Sequence, residues 1–487
     1  MTSHRTGFKP PDVHWAVTIT AIIATVFAVA GCKDNSAKEK DVSEETDSRW
    51  ENDSTSDLPN DDTGTPPGDS DSDSDSDSGA AISTGGQSCQ PLSQPSGQSI
   101  RITPDDVGRL STIVAGAQPG DVFIFESGTY SLNGDYIWIS TPGVTLRSAS
   151  GNPEDVILDG NYQTTEIVTV AASNCTIAEM TIQRAATHPI HVTTSEAGDT
   201  LNTKIYRMTI IDPGEQAIKI NTHSSESATF ADNGEVACSS IQLTDAGRPH
   251  VNMSATPCYT GGIDAHQARG WIIQDNTISG FWCPNGLAEH AVHFWRGCRD
   301  TVVERNILTN NARGVGFGMA TEGDARTYSD TPCGLNATAY VGHVNGVIQN
   351  NFIHASDPDL LASEDGFDCG VCLWSACGVN VAHNTIVSTG ALFSSIEWRF
   401  QSSSATVTNN LATHPMRERD GATATLAGNI DNASLSQFAD AASGDLHLNT
   451  TAAAINAGIT TASNLPKSDI DGDPRDATPD VGADEAL

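Results

Sequence analysis

From Ile177 onward the chain repeats one short pattern: an apolar residue, two residues, Met or Asn, one residue, and an apolar residue again. It occurs at Ile177/Met180/Ile182, Ile205/Met208/Ile210, Ile273/Asn276/Ile278 and Val303/Asn306/Leu308. It continues at Ile348/Asn351/Ile353, Val381/Asn384/Ile386 and Val407/Asn410/Ala412. From Asn276 to Asn410 the successive Asn residues are 30, 45, 33 and 26 positions apart. A drifting period of this size, with short β-rich segments that stay alike, marks a solenoid whose turns vary while its strands keep register. Stacked amides that hydrogen-bond along the axis account for the Asn positions, as side-chain ladders do in cross-β stacks. Asn276, Asn306, Asn351, Asn384 and Asn410 are therefore assigned a structural role.

A second strand is predicted just upstream of each of these segments. Its inward apolar pairs are Ile190/Val192, Ile218/Ile220, Ile263/Ala265, Val292/Phe294, Val315/Phe317, Val371/Leu373 and Ile396/Trp398. Side chains alternate faces along a strand, so the residues between and after these pairs form two outward columns. One column reads His191, Lys219, Asp264, His293, Gly316, Cys372, Glu397; the other reads Thr193, Asn221, His266, Trp295, Gly318, Trp374, Arg399. A plain solvated sheet would show Ser, Thr, Asn and Lys. Ionisable groups and two indoles on such a face point instead to a binding surface. Trp295 and Trp374 would bracket a depression at Gly316 and Gly318 and stack on sugar rings. The competing arrangement has the insertion from Met319 to Gly342 fold over this face and use both Trp residues as packing.

Ahead of the strands, Thr103-Pro104-Asp105-Asp106 predicts a helix N-terminus, with Thr as cap and Pro at the first helical position. Val107, Leu110, Ile113, Val114 and Ala117 share one helical face, Pro119-Gly120 ends the helix, and Val122–Phe125 begins the strands. A short amphipathic helix here would cover the open end of the solenoid. From about Ile102 to Leu487 the chain resembles the right-handed parallel β-helix repeat proteins of the pectate-lyase-like superfamily. The residues carrying the resemblance are this cap followed by PGDVFIF, the segments VERN, IQNN, AHNTIV and VTNN, and the ending DIDGDPRDATPDVGADE at 469–485. The expected fold is therefore all-β: a right-handed parallel β-helix with a short N-terminal capping helix, preceded by a disordered linker. The resemblance implies that the 469–485 stretch closes the C-terminal end. It does not select a function, because the superfamily holds lyases, hydrolases, epimerases and non-catalytic adhesins. The paired aspartates of polygalacturonases are not recognisable here.

Strand spacing turns the columns into distances. Asp264 and Glu397 lie four rungs apart, ~19 Å at the spacing of adjacent strands. Glycosidase carboxylates work at about 5 to 9.5 Å, so a hydrolase would need a nearer partner for Asp264, such as Glu289. Lys219, Asp264 and His293 fall on consecutive rungs with His266 beside them. A polysaccharide lyase needs a base, a cation against the uronate carboxylate, and an acid for the leaving oxygen. The candidate roles are His293 as base or acid, Lys219 as base or charge neutraliser, and Arg313 as clamp. Asp264 and His266 complete the candidate catalytic set. Trp295, Trp374, Glu397, Arg399 and Arg269 form the candidate substrate-binding set, with Arg296 also beside the face. The plainer alternatives are that His293 hydrogen-bonds Asp264, that Lys219 pairs with Asp264, and that Arg313 pins a turn.

Charge narrows the partners. The whole-chain −36 divides into +1 for residues 1–32, −12 for 33–97 and −25 for the remainder. Such a body argues against nucleic acid, and it repels polyuronates unless cations bridge them. Calcium would suit carboxylate and Asn oxygens. Asp469-Ile-Asp471-Gly-Asp473 resembles a calcium loop only loosely and reads as a structural turn; no residue is assigned as a metal ligand.

The ends add localisation. Arg5 and Lys9 precede an apolar run from Ala16 to Ala30, which ends in Val29-Ala30-Gly31-Cys32 and resembles the lipobox of bacterial lipoproteins. Residues 1–31 are then the signal peptide, and Cys32 becomes the acylated anchor to a lipid bilayer. Residues 33–97 hold 16 Asp/Glu against 4 Lys/Arg, including the DSDSDSDSDS tract at 69–78, and read as a disordered tether. The β-helix domain is expected over 98–487, in an exported, membrane-anchored monomer. The ten cysteines beyond Cys32 suggest disulfides in an exported chain. Options are Cys369–Cys377, Cys238–Cys258 and Cys283–Cys298, or Cys333 with Cys369. The leading functional expectation is a lyase acting by β-elimination on a uronate-containing glycan. The alternatives are a non-catalytic glycan-binding adhesin and a glycoside hydrolase.

Overall fold

The computed structural model describes residues 89–95, 99–196, 198–224, 228–253, 257–330, 333, 340–462 and 465–486. The expected signal peptide, Cys32 and the DSDSDSDSDS tract lie outside the described residues. Strands Val122–Phe125, Gly128–Ser131 and Ile137–Ile139 belong to three different sheets, and the coils that follow add strands to each in turn. Among the described residues the first sheet has 14 strands, and the second and third have ten each. Neighbours within them pair parallel, as in Lys204–Tyr206 with Glu235–Ala237. The chain is a right-handed parallel β-helix, as expected.

Alternation along the strands fills the tube. Ile190, Val192, Ile218, Ile220, Ile263, Phe294 and Phe317 are fully buried. At the corner between the first and second sheets the Asn ladder forms. Asn276 Nδ2 donates to Asn306 Oδ1 at 3.0 Å, Asn306 to Asn351 at 3.0 Å, Asn351 to Asn384 at 2.9 Å and Asn384 to Asn410 at 2.9 Å. The ladder runs one rung further, to Asn429 at 2.9 Å. Each ladder residue from Asn276 to Asn410 follows one in the left-handed region: Asp275, Arg305, Asn350, His383 and Asn409, with φ between 52° and 57°. That conformation turns the chain sharply enough to bring the next amide inward. It costs a non-glycine residue about 1–2 kcal/mol, which the buried amide bonds offset.

At the N-terminal end Thr103 donates from both its backbone N–H and its hydroxyl to Asp106 Oδ2, each at 2.9 Å. A 3-10 turn over Pro104–Arg109 leads into the helix Leu110–Ala115, which buries Leu110 and Val114 against the first coil.

Two features differ from expectation. The C-terminal stretch does not close the solenoid's end. Phe438, Leu446, Leu448, Ile470 and Val481 pack on Phe352, Val387 and Leu411, the outward residues of the second sheet. The tail therefore lies along the side wall, because those outward positions are apolar and need cover. The cysteines pair as Cys89–Cys238, Cys258–Cys283, Cys333–Cys377 and Cys369–Cys372, while Cys175 and Cys298 are free and buried. Each expected pairing is replaced, since neighbours are set by which turns stack rather than by spacing along the chain. Cys89 belongs to a segment held against the body. Arg147 Nη1 donates to Ser93 O at 2.6 Å, and Tyr206 Oη to Gln90 O at 2.9 Å. Among the described residues, no helix is long and apolar enough to cross a membrane.

Candidate functional site

The third sheet carries the candidate residues in the expected register. His191 pairs with Lys219, Lys219 with Asp264, Asp264 with His293, and His293 with Gly316. His266 stands beside Trp295 on adjacent rungs. Stacked outward positions thus bring together residues up to 74 apart in sequence, from Lys219 to His293. The cluster is not open to solvent, however. Lys219 is 5% exposed, Asp264 3% and His293 0%. His266, Trp295, Glu289 and Tyr259 are partly exposed and form its rim.

Asp264 is the hub. Oδ2 pairs with the Lys219 ammonium and lies 3.2 Å from His266 Nε2. Oδ1 accepts from the Trp295 indole at 2.9 Å and lies 3.4 Å from His293 Nδ1. Burial alone would raise the Asp264 pKa, but Lys219 and then His266 outweigh it and hold the carboxylate well below its usual range. Burial likewise works against the Lys219 charge, and Asp264 reverses the outcome, so Lys219 is held as a cation. Its Nζ also lies 3.2 Å from His266 Nε2. His266 is pushed down by burial, against the pull of Asp264, and stays neutral near neutral pH. His293 differs: burial pushes it down, but hydrogen bonds to Asp264 and Glu289 prevail and raise it to about 9. Its Nδ1 lies 3.1 Å from Glu289 Oε2, and its Nε2 lies 3.1 Å from Gly318 O.

Of the two roles expected for Lys219, its pairing with Asp264 favours the cation over the free-amine base. His293 is fully enclosed and shared between two carboxylates, which corrects the expectation of an accessible base. The depression expected at Gly316 and Gly318 is also absent. The His290 ring fills the first, where a Cβ at 316 would meet it at 2.5 Å, and Trp374 O closes the second.

The outer candidates are held elsewhere. Trp374 is 8% exposed, packs with Cys369, Cys372 and Met319, and donates its indole N–H to Glu397 at 2.5 Å. Glu397 is 1% exposed and also accepts from Ser394 Oγ at 2.7 Å. Neither is a sugar platform, because the start of the insertion covers this end of the sheet. Arg313 pairs with Asp368 at 2.8 Å, Arg399 with Asp420, and Arg269 with Asp300 at 3.2 Å, at the corner of the first sheet. Each of these arginines is thus held by a carboxylate of its own, away from the Asp264 hub. Arg296 stays closer, its guanidinium 4.7 Å from the Trp295 ring centroid.

Other residues join that the columns did not contain. His290 and Tyr259 lie on the turns entering the strands, where two-residue alternation carries no signal. Toward the N-terminus the polar floor continues through His191, whose Nδ1 lies 2.9 Å from Glu166 and whose Nε2 lies 2.9 Å from Asn221 Oδ1. His188 lies 3.5 Å from Glu215, and burial, Lys219 and His191 push it down to about 3. A cavity of about 440 Å³ lies elsewhere, lined by Leu92, Pro95, Arg147, Lys204 and neighbours; no residue of this cluster lines it. At the C-terminal turn Asp469 Oδ1 accepts from the N–H groups of Asp471 at 3.0 Å and Asp473 at 2.8 Å. Its Oδ2 accepts from Glu485 N at 3.0 Å, the arrangement of a structural turn.

No protein-family model matches the chain, and no curated protein matches it. Among solved structures, pectate lyase Pel9A is similar over 80% of this chain and 97% of its own, at 15% identity and a TM-score of 0.54. A polygalacturonase from Erwinia carotovora ssp. carotovora is similar over 72% of this chain and 99% of its own, at 10% identity and a TM-score of 0.40. The likeness to the first is one of fold.

Proposed function

We propose that this protein is an exported, lipid-anchored, polysaccharide-active β-helix whose third sheet carries a β-elimination centre for a uronate-containing glycan. The observation that carries the reading is the buried Lys219–Asp264 pair with His266, His293 and Trp295 converging on it from consecutive rungs. Taking two charges out of water costs several kcal/mol per ion before pairing offsets it, and nothing in the stacking of coils requires it. Shifted titratable groups gathered in this way are concentrated at functional sites, although structural ion-pair networks shift them too.

The protonation states fit the three roles of an elimination. Lys219 stays a cation to meet the uronate carboxylate. His266, neutral and partly exposed, takes the proton alpha to that carboxylate once the substrate draws Lys219 away from its Nε2. Tyr259, kept protonated by burial and within electrostatic reach of Lys219, returns a proton to the departing glycosidic oxygen as the carbon–carbon double bond forms. His293 and Trp295 position Asp264, and Asp264 positions Lys219. Pel9A, similar in fold, is named a pectate lyase, which accords with the reading. The Cys32 lipobox and the acidic tether supply the proposed anchor at the cell surface or periplasmic face.

One observation favours a non-catalytic glycan-binding module instead: Asp264, Lys219 and His293 satisfy one another and are almost wholly enclosed. The full chain incubated with a panel of uronate polymers decides between them. The lyase reading expects absorbance of the unsaturated product, lost in His266→Ala with glycan binding retained. Reducing ends released without that absorbance would put hydrolysis in its place, and binding with neither would leave the adhesin.

A further inference from the structure

Beside the acid–base cluster, His290 has an environment that the elimination reading does not use. Its ring is fully buried, and neither ring nitrogen has a hydrogen-bond partner. The space it occupies exists only because residue 316 is glycine: a Cβ there would sit 2.5 Å from its Cδ2 and Nε2. Each buried polar atom left unmatched costs about 1–3 kcal/mol, so an enclosed imidazole with two such atoms points to a missing partner.

Its neighbours define that partner. Glu289 Oε2 lies 3.9 Å from His290 Nδ1 and 3.1 Å from His293 Nδ1. One ligand atom from each of Glu289, His290 and His293 falls within 4.8 Å of the others. His293 is oriented from behind. With Nε2–H donated to Gly318 O at 3.1 Å, its Nδ1 is aimed at Glu289 Oε2, 3.1 Å away, and at Asp264 Oδ1, 3.4 Å away. A metal-binding imidazole is fixed in this way, its far nitrogen donating to a carbonyl. A metal ion would take the place of the Nδ1 proton that His293 shares with these two carboxylates.

We propose that Glu289, His290 and His293 bind one divalent transition-metal ion of the zinc class. Two imidazoles and a carboxylate are a zinc donor set, whereas calcium takes oxygen ligands. Ligand atoms around a tetrahedral zinc lie about 3.3 Å apart, which small side-chain rotations reach from the observed spacing. Glu289, partly exposed, provides the way in. His290 also lies near Cys369 and Cys372, but the disulfide between them withholds both sulfurs.

The site goes beyond the elimination reading, and its test reads metal rather than turnover. The full chain, stripped with chelator and dialysed, is titrated with zinc chloride by calorimetry, with calcium chloride as control. Cobalt(II) absorption reports the coordination geometry. One zinc equivalent is expected that calcium does not displace, with affinity reduced at least about tenfold in Glu289→Gln and in His290→Asn. Glu289→Gln is isosteric and partly exposed, so it tests the site even where His290→Asn perturbs folding. The Cys369→Ser/Cys372→Ser chain should retain this equivalent, as should His447→Gln, which alters a separate cluster with Asp471 and Asp484. Absence of a zinc-selective equivalent, or wild-type affinity in folded Glu289→Gln, would overturn the proposal. Loss in the cysteine variant would move the site to His290 with those sulfurs and overturn it equally. Zinc uptake without glycan cleavage would sink only the elimination reading, and cleavage without zinc uptake only the metal site.

Discussion

Single side chains in this solenoid do two kinds of work, and substitution separates them. Asn306 is fully buried, donates to Ile273 O and to Asn351, and accepts from Asn276. Asn306→Ala should cost on the order of 3 kcal/mol, because buried carbonyl and amide groups lose partners on both sides. Asn429→Ala, at the partly exposed end of the ladder, should cost less; denaturant melts of both variants check the order. The Lys219–Asp264 pair should behave differently. Lys219→Met alone strands a buried carboxylate and should destabilise by about 3–5 kcal/mol. Adding Asp264→Asn should recover most of that loss in stability while leaving the protein unable to act on glycan. Recovery of both would mean that the pair has no functional role. The columns along the third sheet were legible residue by residue, because alternation has a period of two and the inward pairs were unambiguous. His290 was not, since it sits on a turn where no period applies.

Elements set the next level of stability. The segment 89–95 is tied to the body by Cys89–Cys238. Replacing both cysteines with serine should loosen it, since a disulfide closing a long loop contributes about 4 kcal/mol. Limited proteolysis near Gln90 should accelerate while the strands stay protected. The C-terminal tail offers a pH test. His447 is raised to about 9, chiefly by its bond to Asp471 and despite partial burial, with Asp445 adding to it. A histidine whose folded pKa exceeds its unfolded value of about 6.5 contributes its full stabilisation below that pH and loses it as pH rises through about 9. Thermal melts of the wild type should therefore fall between pH 7 and 10 relative to His447→Gln, and the two should converge at the alkaline end. A constant gap across that range would show that the charge on His447 is not what holds the tail. That 469–485 would form turns was legible from its Asp, Gly and Pro content. Where the tail would lie was not, because that depends on the apolar outward residues Phe352, Val387 and Leu411 finding cover.

At the scale of the whole molecule, one regularity decided most of the outcome. Stacking identical strands makes an inward apolar position and its rung neighbours predictable from the one-dimensional pattern, since each coil contacts only the next. The sequence by itself therefore determined the solenoid, its cap helix, the Asn ladder and the rung order Lys219, Asp264, His293. It could not determine what covers the outer face, since turns of different length fold back over the sheet by contacts that no local period records. Only the tertiary structure decided that Trp374 and Glu397 are enclosed and that Arg313, Arg399 and Arg269 are paired away. It alone placed His290 under Gly316 and chose the cysteine partners. The physical reason is the same in each case: strand pairing is a repeated local rule, whereas burial and charge pairing depend on which distant turns meet.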